Sequence, residues 1–183
     1  MKKLTALLLA IAMMVTCTLC AVAEDGKTYM AVCIASEPDT LDPALNSTVD
    51  GATMVAHLFA GLSTWAQTDD GKLEILPDCA VELPDPVVND DGTVTYTYTL
   101  VDGLKWSDGT ELNAKDFEYT MKRIANPDVG APYGETVVGM IEGYQDAIGN
   151  PDKNGKKTTK PDIDKLNVKA SEDGKTLTIK LAY

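Results

Sequence analysis

The residues from Asn89 to Arg123, N-D-D-G-T-V-T-Y-T-Y-T-L-V-D-G-L-K-W-S-D-G-T-E-L-N-A-K-D-F-E-Y-T-M-K-R, constrain the fold more than any other stretch of the chain. Thr93 to Leu100 alternates threonine with Val94, Tyr96, Tyr98 and Leu100, so the larger side chains share one face of a half-buried strand. Asp91-Gly92 in front of it is a tight-turn pair and Val87-Val88 a short partner run, which together predict a hairpin. Two further Asp-Gly turns, Asp102-Gly103 and Asp108-Gly109, flank Trp106, an indole expected to plug the corner before the next element. That element is a helix. Asn113 is its N-cap, with Asp116 three residues on to complete a capping box. Phe117, Met121 and Ile124 form the apolar stripe, and Asn126-Pro127 is the stop.

The same unit carries a family resemblance. The order Gly-Leu-Lys-Trp-Ser-Asp-Gly-Thr from Gly103, then Asn-Ala-Lys-Asp-Phe from Asn113, closing on Met121-Lys122-Arg123, resembles the extracytoplasmic oligopeptide- and dipeptide-binding proteins. These are the substrate-binding components of ABC importers, solute-binding protein family 5. Ser36-Glu37-Pro38-Asp39-Thr40-Leu41-Asp42-Pro43, Leu58-Phe59-Ala60-Gly61-Leu62, Ala125-Asn126-Pro127 and Pro132-Tyr133 follow in the family's order. One departure is Val101, where the family usually has Lys or Arg after the strand. The resemblance implies a periplasmic-binding-protein-like α/β fold (type II, cluster C). Residues 24–66 would begin its first lobe and residues 67–183 would form a small α+β subdomain, incomplete at the C-terminus. Family members are considerably longer, so an N-terminal fragment is expected.

Residues 1–23 have the form of a secretory signal: Lys2-Lys3, an uncharged run from Leu4 to Leu19, then Ala21-Val22-Ala23 before Glu24. Cys17 after Met14-Val15-Thr16 offers a second processing route, an imperfect lipobox and hence a lipid anchor. The whole sequence has 16 basic and 28 acidic residues, a net charge of −12. Cleavage after Ala23 removes two lysines, leaving 14 basic against 28 acidic, or −14. Such a charge argues against nucleic acid and anionic membrane surfaces as direct partners. Cleavage also leaves two cysteines, Cys33 and Cys79, whose spacing alone does not decide whether they pair.

Thr28 to Ala35 reads as a buried central strand, bounded by Lys27 and Ser36. A helix is expected from about Asp50 to Ala60, with Met54, Val55, Leu58, Phe59 and Leu62 as its apolar stripe and Gly61 as its stop. Trp65 and Ile75-Leu76 flank a Thr68-Asp69-Asp70-Gly71 turn and predict a second hairpin, and Leu166–Ala170 with Thr176–Leu181 a third. Between these, Glu135 to Ile148 reads as a helix weakened by Gly139 and Gly143, with Val137, Val138, Ile141, Tyr144 and Ile148 on its apolar face.

The candidate ligand contacts lie in the loop before the first helix: Asn46, Ser47, Thr48 and Val49. A loop feeding a helix N-terminus offers unpaired backbone N–H groups that suit a peptide carbonyl or a carboxylate. In the resembling family the loop at this place runs beside the bound ligand. Tyr133, an aromatic on a loop, is a second candidate. Catalytic readings lack their residues. There is no Gly-x-Ser-x-Gly elbow, no His-Glu-x-x-His and no phosphate loop, and His57, the single histidine, belongs on a helix surface. Asp152-Lys153-Asn154-Gly155 lacks the remaining ligands of a calcium loop.

No metal or cofactor is expected. The resemblance implies a monomer that captures an oligopeptide or dipeptide and delivers it to permease and ATPase subunits, outside the cytoplasmic membrane. The same scaffold is also compatible with a nickel complex, haem, a sugar or an opine-like solute, or with an adhesin or receptor.

Overall fold

The computed structural model describes residues 30–33 and 36–183. The chain divides into two compact units, Met1–Ala35 and Ser36–Tyr183. The expected signal sequence and Cys17 lie outside the described residues. In the first unit the expected strand over Thr28–Ala35 is not borne out where it is described: residues 30–33 have no regular structure, and Met30 and Val32 are exposed. An apolar run becomes a strand only when a neighbour completes its hydrogen-bond ladder, and no strand among the described residues pairs with this one.

The second unit begins with α1 (Val49–Leu58) and the antiparallel hairpin β1 (Ser63–Gln67) and β2 (Leu73–Pro77). Trp65 stands opposite Ile75 across the expected turn. Leu62, half-buried, packs against the core, but the rest of the expected α1 stripe does not. Met54 and Val55 are half-buried, and Leu58 and Phe59 are exposed. The helix stops at Leu58, where the extended backbone of Phe59 forms the C-cap, two residues short of the expected end.

A four-stranded antiparallel sheet follows: β3 (Val87–Val88), β4 (Val94–Thr99), β5 (Val168–Ala170) and β6 (Thr176–Leu181), in spatial order β3-β4-β6-β5. The predicted hairpins β3–β4 and β5–β6 are therefore joined by β4 pairing with β6. Tyr98 faces Leu177 and Tyr96 faces Ile179 across that seam, the kind of aromatic–aliphatic cross-strand pair that holds a sheet face together. Leu177 is fully buried and Ile179 nearly so, while Thr97 and Thr99 are exposed. One face is thus apolar and the other wet.

On the apolar face lies α2 (Ala114–Ala125), with α3 (Gly134–Val138), α4 (Tyr144–Ile148) and a 3₁₀ turn at Ile163–Lys165. Phe117, Met121 and Ile124 pack from α2 onto a core built of Leu100, Val138, Ile141, Tyr144, Leu166, Val168, Leu177 and Ile179. The predicted capping box is formed: Asn113 Oδ1 accepts from the Lys115 amide at 3.0 Å, and Asp116 Oδ2 accepts from the Asn113 amide at 2.8 Å. The helix expected over Glu135–Ile148 is instead α3 and α4, separated at Gly139 and Gly143. Gly139 caps α3, and Gly143 at φ +83° starts α4 in the left-handed region, which only glycine enters without penalty. Val138, Ile141 and Tyr144 are buried as expected, but Val137 is exposed. Trp106 departs from its expected role. At 41% exposed it stays on the surface, whereas Leu100 is buried in the core and Leu104 packs against that core.

Candidate ligand-contact loop

Asp42 organises the segment before α1. Its carbonyl accepts from the amides of Leu45 (3.1 Å) and Asn46 (3.0 Å), its own amide donates to Thr40 Oγ1 at 3.1 Å, and its Oδ1 accepts from the Ala44 amide at 3.0 Å. This is the local side-chain-to-backbone bonding by which aspartate builds a turn. The turn delivers Asn46 to the start of α1. Asn46 Nδ2 donates to the Thr48 carbonyl at 3.2 Å, and Asn46 Oδ1 accepts from the Thr48 amide and hydroxyl at 3.3 Å each. Thr48, the N-cap, accepts the Gly51 amide on its hydroxyl at 3.2 Å. Ser36 closes the arrangement by donating its hydroxyl to Asp50 Oδ2.

The four loop candidates therefore divide into two kinds. Asn46 and Thr48 are half-buried and spend their polar atoms on the loop itself, whereas Ser47 and Val49 are exposed, Val49 to 82%. Among the described residues the amides of Val49 and Asp50 take no hydrogen-bond partner. Tyr133 stands at the N-cap position of α3 without a side-chain cap bond and is 55% exposed. No hydrogen bond among the described residues joins it to the loop. His57 lies on the α1 surface with Nδ1 2.7 Å from the Thr53 carbonyl.

Residue-type reasoning did not reach Arg123. From the last turn of α2 its Nη1 donates to Asp42 Oδ1 at 2.9 Å and its Nη2 to Asp42 Oδ2 at 2.6 Å. This is a two-bond fork that a lysine cannot make. The guanidinium holds the Asp42 carboxyl below its ordinary pKa, against a smaller opposing effect of burial, and Asp42 raises that of Arg123 in return. The only advance signal was the Met121-Lys122-Arg123 ending of the helix.

An open cleft of about 510 Å³ runs along the outer face of α2. Most of its charges are matched: Lys122 bridges Glu118 at 2.9 Å and Asp164 at 3.0 Å, and Arg123 is held by Asp42, while Lys115 on its wall makes no ion pair among the described residues. A water-open surface whose central charges pair with one another suits a seam between elements better than a ligand site. Among the described residues no group of three His, Cys, Asp or Glu could hold a metal ion, and no helix is long and apolar enough to cross a membrane. Cys33 and Cys79 are both free, Cys33 exposed and Cys79 buried.

Comparison with known proteins decides the family. The family model described as bacterial extracellular solute-binding proteins, family 5 Middle, matches residues 74–182. The chain belongs to that family. It is 34% identical over 157 residues, 85% of this chain and 25% of the relative, to the oligopeptide-binding protein OppA of Bacillus subtilis. It is 41% identical over 86 residues, 47% of this chain and 14% of the relative, to the dipeptide-binding protein of Lactococcus lactis. Among solved structures, Haemophilus influenzae OppA in complex with the peptide RPPGFSPFR superposes over 81% of this chain and 26% of that one, with a TM-score of 0.62 at 27% identity. The fold is accordingly that of the family 5 periplasmic binding proteins, and the mixed strands and helices here are a partial α/β piece of it. The chain spans about a quarter or less of the length of these relatives.

Proposed function

We propose that this chain is part of the substrate-binding component of an ABC importer, a protein that captures peptides outside the cytoplasmic membrane and hands them to a permease. The observation that carries the reading is family membership joined to the solved relative: the region that matches this chain comes from a protein whose structure was determined with a peptide bound. The loop geometry supports it. Backbone-directed capture needs amides that the protein leaves unpartnered, and the start of α1 supplies those of Val49 and Asp50 beside the exposed side chains of Ser47 and Val49. Asn46 and Thr48 hold that shape, and Tyr133 adds an aromatic surface for varied side chains.

In this reading residues 24–66 open the first lobe, 67–183 form the small subdomain, and the protein is exported by its N-terminal signal. Closure of two lobes about a hinge would then enclose the peptide. The protein acts as a monomer and needs no cofactor. The test is thermal unfolding of the protein as its gene encodes it, with and without a mixture of two- to five-residue peptides. A peptide present at roughly a hundred times its Kd should add about 2.7 kcal/mol and raise Tm by several degrees. An unchanged Tm with peptides, alongside a rise with a sugar, haem or a nickel complex, would overturn the peptide reading.

A further inference from the structure

Among the described residues, the only hydrogen bonds reaching from segment 36–60 to the remainder of Ser36–Tyr183 are the two that Arg123 makes to Asp42. The segment's other hydrogen bonds among the described residues are internal to it, and include the Asp42 turn, the Asn46–Thr48 bonds, the Thr48 cap and the Ser36–Asp50 bond. The apolar side of α1 offers little alternative anchorage, because Val49, Leu58 and Phe59 are exposed.

We propose that Arg123 is a positioning residue for the ligand-contact loop, acting through Asp42 to fix the turn from which Asn46, Ser47, Thr48 and Val49 project. Its consequence for binding rests on the peptide-capture reading above.

The chain of contacts is short and each link has a geometric reason. Arg123 stands on a rigid base, since Phe117, Met121 and Ile124 of the same helix pack against the core. Its planar fork fixes the orientation of the Asp42 carboxylate as well as its position. Oδ1, so held, is the atom that also accepts the Ala44 amide, and Pro43 between them has its φ fixed by its ring. The Asp42 carbonyl then takes the amides of Leu45 and Asn46. Asn46 in turn sets Thr48, and Thr48 caps α1. A last-turn arginine also complements its own helix dipole. That role would not call for a two-bond contact to a carboxylate 81 residues away.

The experiment compares wild type, Arg123→Lys and Arg123→Gln in the protein as its gene encodes it. Backbone amide exchange is read separately for residues 42–52 and for β4 and β6, and the affinity for a peptide from the thermal-shift mixture is measured alongside. In Arg123→Gln, exchange over 42–52 should speed up roughly tenfold or more, while the amides of Tyr98, Leu177 and Ile179 keep their protection. Peptide affinity should fall by a similar factor. Arg123→Lys, with the charge but not the fork, should recover only part of both. Unchanged exchange over 42–52, or equal acceleration everywhere as in a general loss of stability, overturns the proposal. So does a loosened loop that binds peptide as tightly as before. Absence of peptide binding by wild type would sink the capture reading, and the exchange data would then decide the positioning role alone.

Discussion

Gly51 lies against Asn46 so closely that a Cβ built on the glycine would stand 1.9 Å from Asn46 Oδ1. The missing side chain is what lets the Asn46 carboxamide fold over the first turn of α1 and take the Thr48 amide and hydroxyl. Gly51→Ala sets two effects against each other. Alanine favours the helix by about 1 kcal/mol over glycine, but its methyl group must displace the end of Asn46, and with it the bonds to Thr48. Because the displaced atom belongs to a side chain that can rotate, the fold should survive. Far-ultraviolet circular dichroism should be unchanged or slightly more helical, while amide exchange at Thr48 should speed up. Slower exchange at Thr48 would show that Asn46 is not held by the space the glycine leaves.

Asn113 tests the other helix start. Its side chain caps α2 and its amide is taken by Asp116; the helix it opens carries both the core stripe of Phe117, Met121 and Ile124 and the guanidinium of Arg123. Asn113→Ala should lower stability by about 1 kcal/mol, and Asn113→Ser by much less. The readout is the urea midpoint at constant slope. Equal losses for the two substitutions would mean that the side chain contributes through packing beside Gly174, on which a Cβ would stand 3.1 Å from Asn113 Cβ, instead of through the cap.

What the sequence disclosed follows from the range of the interactions involved. The strand at Val94–Thr99, the box at Asn113 and Asp116 and the three hairpins are specified by neighbours a few residues apart, and they formed where period, cap and turn chemistry placed them. Pairing of β4 with β6 joins residues some eighty positions apart and leaves no local mark. The fork of Arg123 on Asp42 is hidden for the same reason, although the loop it serves was legible from its capping residues. The strand expected at Thr28–Ala35, the stripe on α1 and the burial of Trp106 were inferred from hydrophobicity. Hydrophobicity states what a residue tolerates, not what covers it. At Gly139 and Gly143 the weakening of one helix was visible, but its division required knowing that a carbonyl crowds each glycine: Glu135 O at 2.2 Å from a Cβ on Gly139, and Lys165 O at 1.9 Å from one on Gly143.

Gly143 is accordingly the glycine whose replacement should cost most. It combines φ +83° with the Lys165 carbonyl, a backbone group that cannot rotate aside. Left-handed backbone costs a non-glycine residue about 1–2 kcal/mol before any collision. Displacing the chain ahead of the buried Leu166 and Val168 adds to that, so Gly143→Ala should lose about 3 kcal/mol or more. Gly155 shares the backbone conformation, at φ +78°, but has open space around it. Gly155→Ala should lose only about 1 kcal/mol. Comparable denaturant midpoints for the two variants would remove the carbonyl contact as the cause.

Lys180 gives the sheet a pH dependence whose sign can be worked out. Its ammonium bridges Asp91 at 3.0 Å and Glu142 at 3.2 Å, and these partners raise its pKa, Asp91 most. The Asp91 carboxyl is held well below the ordinary range by the Thr93 hydroxyl first and Lys180 second. A carboxyl lowered in the folded state contributes stability that is complete above its unfolded value of about 3.9 and is lost as pH falls toward the folded one. A lysine raised in the folded state contributes below about 10.4, and that contribution is lost as pH rises through its folded value. Asp91→Asn removes the titrating group on the acid side. The Tm difference between wild type and this variant should stay level from about pH 6 to 9 and begin to close below about pH 4. Both partners are exposed enough for salt to screen the bridge, so part of the neutral-pH difference should also shrink in about 1 M salt, where the screening length is about 3 Å. The portion that salt leaves untouched reflects the local bonds that Asp91 Oδ1 accepts from the Thr93 amide and hydroxyl. A difference that stays constant down to about pH 2 would show that Asp91 acts through turn geometry and not through its charge.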